Sequence, residues 1–207
     1  MKKNLLIIIS VILMQHKLTA QSKWGFENYH YLDIPGSSAI VPMIHFETPK
    51  QLYAELRYNY ESEKTATLLV GKTFDGGKKL LYNITPMTGF STGQFTGISI
   101  AARADLEWKD WYFSAETQQS IATGKKGESF FFNWSELGYS ITDHFFAGAA
   151  MQYIWQDGTG SLEPGIVAGL SYKNFSFPCY IFNPAQKNSH IVLGMNYEWS
   201  FKRRTRS

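Results

Sequence analysis

The chain has 207 residues, 18% of them charged and 16% aromatic, with 17 Gly, 7 Pro and a single Cys. That length suits one domain, the aromatic content excludes a disordered chain, and the lone Cys179 excludes an internal disulfide framework or a multi-cysteine metal cluster. The formal charge of +3 resides at the ends: three bases fall within residues 1–20 and four within residues 202–207, leaving the body between at net −4. No basic face runs along the chain, so nucleic acid is not an expected partner.

Residues 1–20 have the organisation of a cleaved signal peptide, with Lys2 and Lys3 ahead of the apolar run Leu5 to Met14 and Leu18-Thr19-Ala20 before Gln21. That run is the longest apolar stretch and is too short to cross a bilayer as a helix. From residue 21 onward the dominant pattern is strict alternation. Leu52, Ala54, Leu56, Tyr58 and Tyr60 alternate with Tyr53, Glu55, Arg57 and Asn59. The segments 98–108 and 190–201 repeat the pattern, and a period of two places one apolar and one polar face on each strand. Strands are predicted at 24–33, 39–47, 51–61, 65–74, 79–88, 96–108, 111–121, 129–141, 144–155, 163–172, 175–182 and 190–201. Their lengths of about 9–13 residues match tilted membrane-spanning strands rather than the ~5–6 residues of soluble sheets.

Tight connections at Thr48-Pro49-Lys50, Asp75 to Lys78, Lys109-Asp110, Thr142-Asp143 and Lys173-Asn174 alternate with longer ones at 35–38, 62–64, 88–95, 122–128, 156–162 and 183–189. Short turns at one end and longer loops at the other are the pattern of an outer-membrane barrel. Aromatic girdles are expected at both rims, from Trp108, Trp111, Tyr172, Phe175, Trp199 and Phe201 at one and Phe130, Phe132, Tyr153 and Trp155 at the other. Two irregularities are expected. A bulge between Trp134 and Leu137 would reconcile the two parities of 129–141 and turn Glu136 inward, and Pro178 should weaken pairing in its strand.

Gly194-Met195-Asn196-Tyr197-Glu198-Trp199 resembles the C-terminal signal by which outer-membrane barrels are recognised for insertion. The chain from residue 21 resembles a small bacterial outer-membrane β-barrel protein of the Bacteroidota type. That resemblance implies the outer membrane as location, its lipid as surroundings and the barrel-assembly machinery as a partner during biogenesis. The expected organisation is thus a signal peptide (1–20), an all-β, antiparallel, up-and-down transmembrane β-barrel (21–201) of about 12 strands, and a basic tail (202–207). Ten strands would result if residues 24–33 stayed outside the wall.

With the apolar face toward lipid, the lumen-lining residues are His45, Glu47, Glu55, Arg57, Arg103, Asp105, Glu107, Glu116 and Glu198. A two-residue turn at Lys109-Asp110 sets Trp108 opposite Trp111 and therefore Arg103 opposite Glu116, within ion-pair reach. The surplus of acids would favour cations if the interior conducts, whereas a packed interior would conduct nothing. The functional expectation is a porin-like or structural surface barrel without enzymatic activity, metal or cofactor. Two alternatives remain open: a barrel enzyme acting on lipid A or phospholipid, with Ser189 and His190 as weak catalytic candidates, and a secreted soluble β-protein.

Overall fold

In the computed structural model, residues 22–33, 38–124 and 127–201 are described; the expected signal peptide and basic tail lie outside them. The strands in chain order are β1 (Ser22–Asp33), β2 (Ser38–Glu47), β3 (Leu52–Tyr58), β4 (Ala66–Lys72), β5 (Phe74–Gly77), β6 (Leu81–Thr92), β7 (Gly97–Trp108), β8 (Trp111–Ala122), β9 (Phe130–Ser140), β10 (Phe145–Gln156), β11 (Thr159–Tyr172), β12 (Phe175–Phe182) and β13 (His190–Phe201). Every pairing is antiparallel between neighbours, and β1 pairs with β13 from Ser22↔Phe201 to Asp33↔His190. The ring therefore closes, which removes the free edges an open sheet would leave.

The wall has twelve strands, because β5 prolongs β4 rather than adding a stave. Gly71 lies opposite Met87 on β6 and Phe74 lies opposite Ile84, one register across the break at Thr73. The first strand, on which the count of ten or twelve depended, is in the wall between β2 and β13.

Outward and inward faces divide as alternation dictates. Leu56, Ile100, Ile166 and Leu170 lie 50–68% exposed on the outside, whereas Glu55 and Arg57 on the other face of β3 are 1% and 0% exposed. Aliphatic side chains outside and carboxylates within is the reverse of a soluble sandwich and is the arrangement a bilayer demands. At the rim of short turns, Trp108, Trp111, Tyr172, Phe175 and Trp199 are 40–59% exposed, forming the girdle expected there. Pairing of β12 with β13 lapses at Phe177 and Pro178 and resumes in the same register at Cys179, the weakening expected of a residue without an N–H.

Three expectations are corrected. Residues 130–140 contain no bulge: Phe130 opposite Ser120 and Trp111 opposite Tyr139 share one register with β8, and β10 is equally regular. Glu136 reaches the interior because the even parity faces inward throughout, carrying Phe130 and Phe132 (9% exposed each) with it instead of leaving them in a girdle. The connection at 156–162 is not a long loop either. Asp157 and Gly158, at φ 50° and 73°, form a two-residue reversal, and β11 begins at Thr159. The turn expected at Asp75–Lys78 is displaced to residues 78–80, since Gly77 still pairs with Leu81.

Candidate functional site

The interior is built from rows of side chains that cross the wall strand by strand. One mid-height row runs Thr85, Arg103, Glu116, Trp134, Gln152 and Glu163. In it the pair Arg103 and Glu116 joins at Nη2 to Oε2, 3.2 Å. Closure of the ring brings in partners that no hairpin would supply. Arg103 also reaches Glu27 Oε1 from β1 at 3.2 Å and Glu55 Oε2 from β3 at 3.3 Å. Arg57 contacts Glu55 through Nε and Glu116 Oε1 through Nη1 at 2.6 Å, donates to Gln118 Oε1 at 3.1 Å, and stacks on the Tyr60 ring at 4.3 Å. Three carboxylates thus share two guanidinium groups across the bore, a cross-lumen layer rather than a set of isolated pairs. Such a layer withstands burial because each charge keeps an opposite partner and several hydrogen bonds.

Above this layer, toward the longer loops, the interior is filled. Phe95 folds in from the β6–β7 loop to 2% exposure and packs edge-on against Phe130, with Phe132 and Tyr60 alongside. The backbone N–H of Phe95 donates to Thr65 Oγ1 at 3.0 Å, tying two loops together. Thr65, Ser91, Phe182 and Asn183, all at this end, are 0–2% exposed. Below the layer the interior opens instead. A cavity of about 820 Å³ reaches the rim of short turns, and His45, Glu47, Arg103, Asp105, Glu107, Glu116 and Glu198 are among its lining residues. Glu55 and Arg57 are not among them; they lie in the buried layer. A smaller recess of about 410 Å³ shares Glu107, Tyr112, Glu136 and Asn196 with it. Tyr112 lies over Gly138 so closely that a Cβ there would stand 2.2 Å from its Cε1, so the ring is seated by the missing side chain.

Ser189 and His190 do not converge. Ser189 Oγ donates to the Phe182 carbonyl at 3.3 Å, while the His190 ring stacks on Phe182 at 5.2 Å and lies 4.0 Å from Glu163 Oε2. Sequence reading also passed over Phe95 and Gln118. Tyr60 corrects an expectation: alternation over 51–61 put it on the outward face, but β3 ends at Tyr58 and the chain turns Tyr60 inward, where its hydroxyl donates to Glu116 Oε1 at 2.9 Å. Phe95 folds inward from a loop outside the alternating runs, and Gln118 carries no charge to draw notice.

No family model matches the chain, and no curated protein matches it in sequence. Among solved structures it is similar to the KdgM porin in complex with disordered oligogalacturonate, with TM-score 0.63 and 10% identity over 86% of this chain and 99% of that one. A second structure of the KdgM porin gives TM-score 0.60 at 10% identity, again over 86% of this chain and 99% of that one. The NanC porin gives TM-score 0.57 at 11% identity over 86% of this chain and all of the other. At such identities the likeness is one of fold: this chain has the closed barrel of bacterial outer-membrane porins. Together with the apolar outer surface, that places it in the outer membrane.

Proposed function

We propose that the protein is a non-enzymatic, porin-like barrel that is shut at its loop end and holds an acidic vestibule open at its turn end. The observation that carries this reading is the exposure gradient along the inward face. Inward residues near the turns, such as Lys23 and Glu107, reach solvent, whereas Thr65 and Phe182 near the loops are each 0% exposed. Short turns mark the periplasmic end of an outer-membrane barrel, so the vestibule faces the periplasm and the aromatic cap faces the exterior. Oligogalacturonate, found with the KdgM porin, is a polyanion; a vestibule with eight carboxylates against Lys23 and Arg103 would repel it.

Planar-bilayer recording tests the reading. The intact barrel is expected to give no steady conductance, and Phe95→Ser combined with Phe132→Ser to give a small cation-selective one. Stable ohmic current through the intact protein would refute the closed state. Anion selectivity in the opened variant would refute the role given to the acids.

A further inference from the structure

We propose that the barrel pairs with a second copy of itself in the membrane, through the outer face of β8 and β9 and about a two-fold axis near Asn133. This goes beyond the reading of the interior, which holds whether the barrel is single or paired.

Alternation places Thr117 and Gln119 of β8 and Asn133 and Ser135 of β9 on the outward face, since Glu116, Gln118 and Ser120 on β8 and Phe130 and Phe132 on β9 are buried inward. Thr117 lies directly opposite Asn133, and Ala102 on β7 and Tyr153 on β10 complete that row. The next outward row toward the turns reads Ala104, Ala115, Ser135 and Met151. Thr117 stands six positions along its strand from Trp111 at the turn rim, and Asn133 six from Tyr139. At about 3.3 Å per residue and a tilt of about 40°, that is a height of about 15 Å, close to the middle of an apolar band about 25 Å tall. Elsewhere the outward face carries side chains such as Leu56, Val70, Ile166 and Leu170. A carboxamide at that depth meets lipid tails, which offer neither donor nor acceptor.

Hydrogen bonding within one copy leaves these groups half used. Asn133 Nδ2 donates one proton to the Glu116 carbonyl at 3.2 Å, and Asn133 Oδ1 accepts from Ser135 Oγ at 2.7 Å. The second amide proton of Asn133 has no acceptor among the described residues. Gln119 Nε2 donates to the Phe130 and Ser120 carbonyls at 3.0 and 3.3 Å, and Thr117 Oγ1 donates to the Phe132 carbonyl at 3.5 Å. Among the described residues Gln119 Oε1 and Thr117 Oγ1 accept nothing in return. One face thus holds a free donor beside free acceptors. A second copy inserted in the same orientation brings the same pattern to the same depth, and a two-fold axis along the membrane normal turns each copy's donor toward the other's acceptors. Ala102, Ala104 and Ala115 keep the wall low beside these groups, so that two barrels can approach within hydrogen-bond reach. A smaller outward pair, Asn28 and His30 on β1, lies six strands away around the ring. Contact between that pair and the β8–β9 face would be head-to-tail and would build open chains rather than a closed pair.

Cross-linking of the full-length barrel in lipid vesicles tests this, in a Cys179→Ala background that removes the one native thiol. Ser135→Cys is expected to give a two-chain product with a short bis-maleimide, and Ile44→Cys, outward on the far side of the ring, to give none. Sedimentation in density-matched detergent should show two chains for the parent. Asn133→Leu should raise the dissociation constant about tenfold, for two symmetry-related hydrogen bonds lost. Leucine suits a lipid-facing position, and retained heat-modifiable migration of the variant shows that it folds. Four results overturn the proposal: a parent that sediments as one chain at every concentration, equal cross-linking at both positions, an unchanged dissociation constant in Asn133→Leu, or a product that forms only between a Ser135→Cys copy and an Asn28→Cys copy. A single-chain barrel without conductance sinks this inference alone, whereas a paired barrel that conducts sinks the closed state and keeps the interface.

Discussion

Arg57→Met is the sharpest perturbation the interior offers. The guanidinium is fully buried and holds charged contacts to Glu55 and Glu116 plus a neutral one to Gln118. Methionine keeps the length and apolar stem while deleting the charge. Each charge-assisted contact contributes about 1.5–3 kcal/mol, and removing one partner of a buried ionic cluster costs about 3–5 kcal/mol because the other charge remains. After the exchange Arg103 alone faces Glu27, Glu55 and Glu116, so a loss of about 3–5 kcal/mol is expected. Adding Glu55→Gln restores the original charge balance of the layer and should recover about 1–3 kcal/mol of it. Urea unfolding in lipid vesicles, followed by tryptophan fluorescence and gel migration, reads both variants. A single variant within about 1 kcal/mol of the parent, or a double variant no more stable than the single, would refute the argument that the layer is held by mutual compensation.

Other outcomes follow from the same geometry. Leu56→Arg, on an outward position 50% exposed, should cost about 2–4 kcal/mol in vesicles if it faces hydrocarbon near mid-depth; an effect below about 0.5 kcal/mol is what a water-facing site would give. Arg103→Glu should destabilise the barrel, and Glu116→Arg should not rescue it, since the new arginine would lie against Arg57; full recovery of folding yield would show that the two residues form a private pair. Gly138→Ala forces the Tyr112 ring aside at a cost of about 1–3 kcal/mol, and in a Tyr112→Ala background the same exchange should cost under about 0.5 kcal/mol by the same unfolding assay.

How far the sequence could be read depended on whether a feature was local. The β7–β8 hairpin was legible to single-residue register, because two residues turn the chain and alternation runs unbroken from Ile98 to Trp108. The charge layer was only half legible. Arg103 opposite Glu116 follows from hairpin arithmetic, but Arg57 with Glu116 and Arg103 with Glu27 are neighbours only once twelve strands have closed. Residues 129–141 misled for a physical reason. Apolar character alone does not separate a ring facing lipid from a ring packed in a filled bore, so Phe130, Phe132 and Trp134 suggested an outward parity and hence a bulge. The register with β8 and β10 settles the parity, and that information lies in the neighbouring strands. Tyr60 misled because the alternation runs on past Tyr58, where the strand itself ends, and Phe95 was illegible because an inward-folded loop carries no periodicity.

The seam between β1 and β13 joins the two ends of the folded wall along twelve consecutive residue pairs. Nothing earlier in the chain can substitute for its last member. A polypeptide halted before His190 would present two raw strand borders at once, the flank of β1 and that of β12, each a template for a foreign strand. Completion of the cylinder is therefore deferred until residues 190–201 are made, and until they arrive the nascent sheet depends on whatever shields its borders.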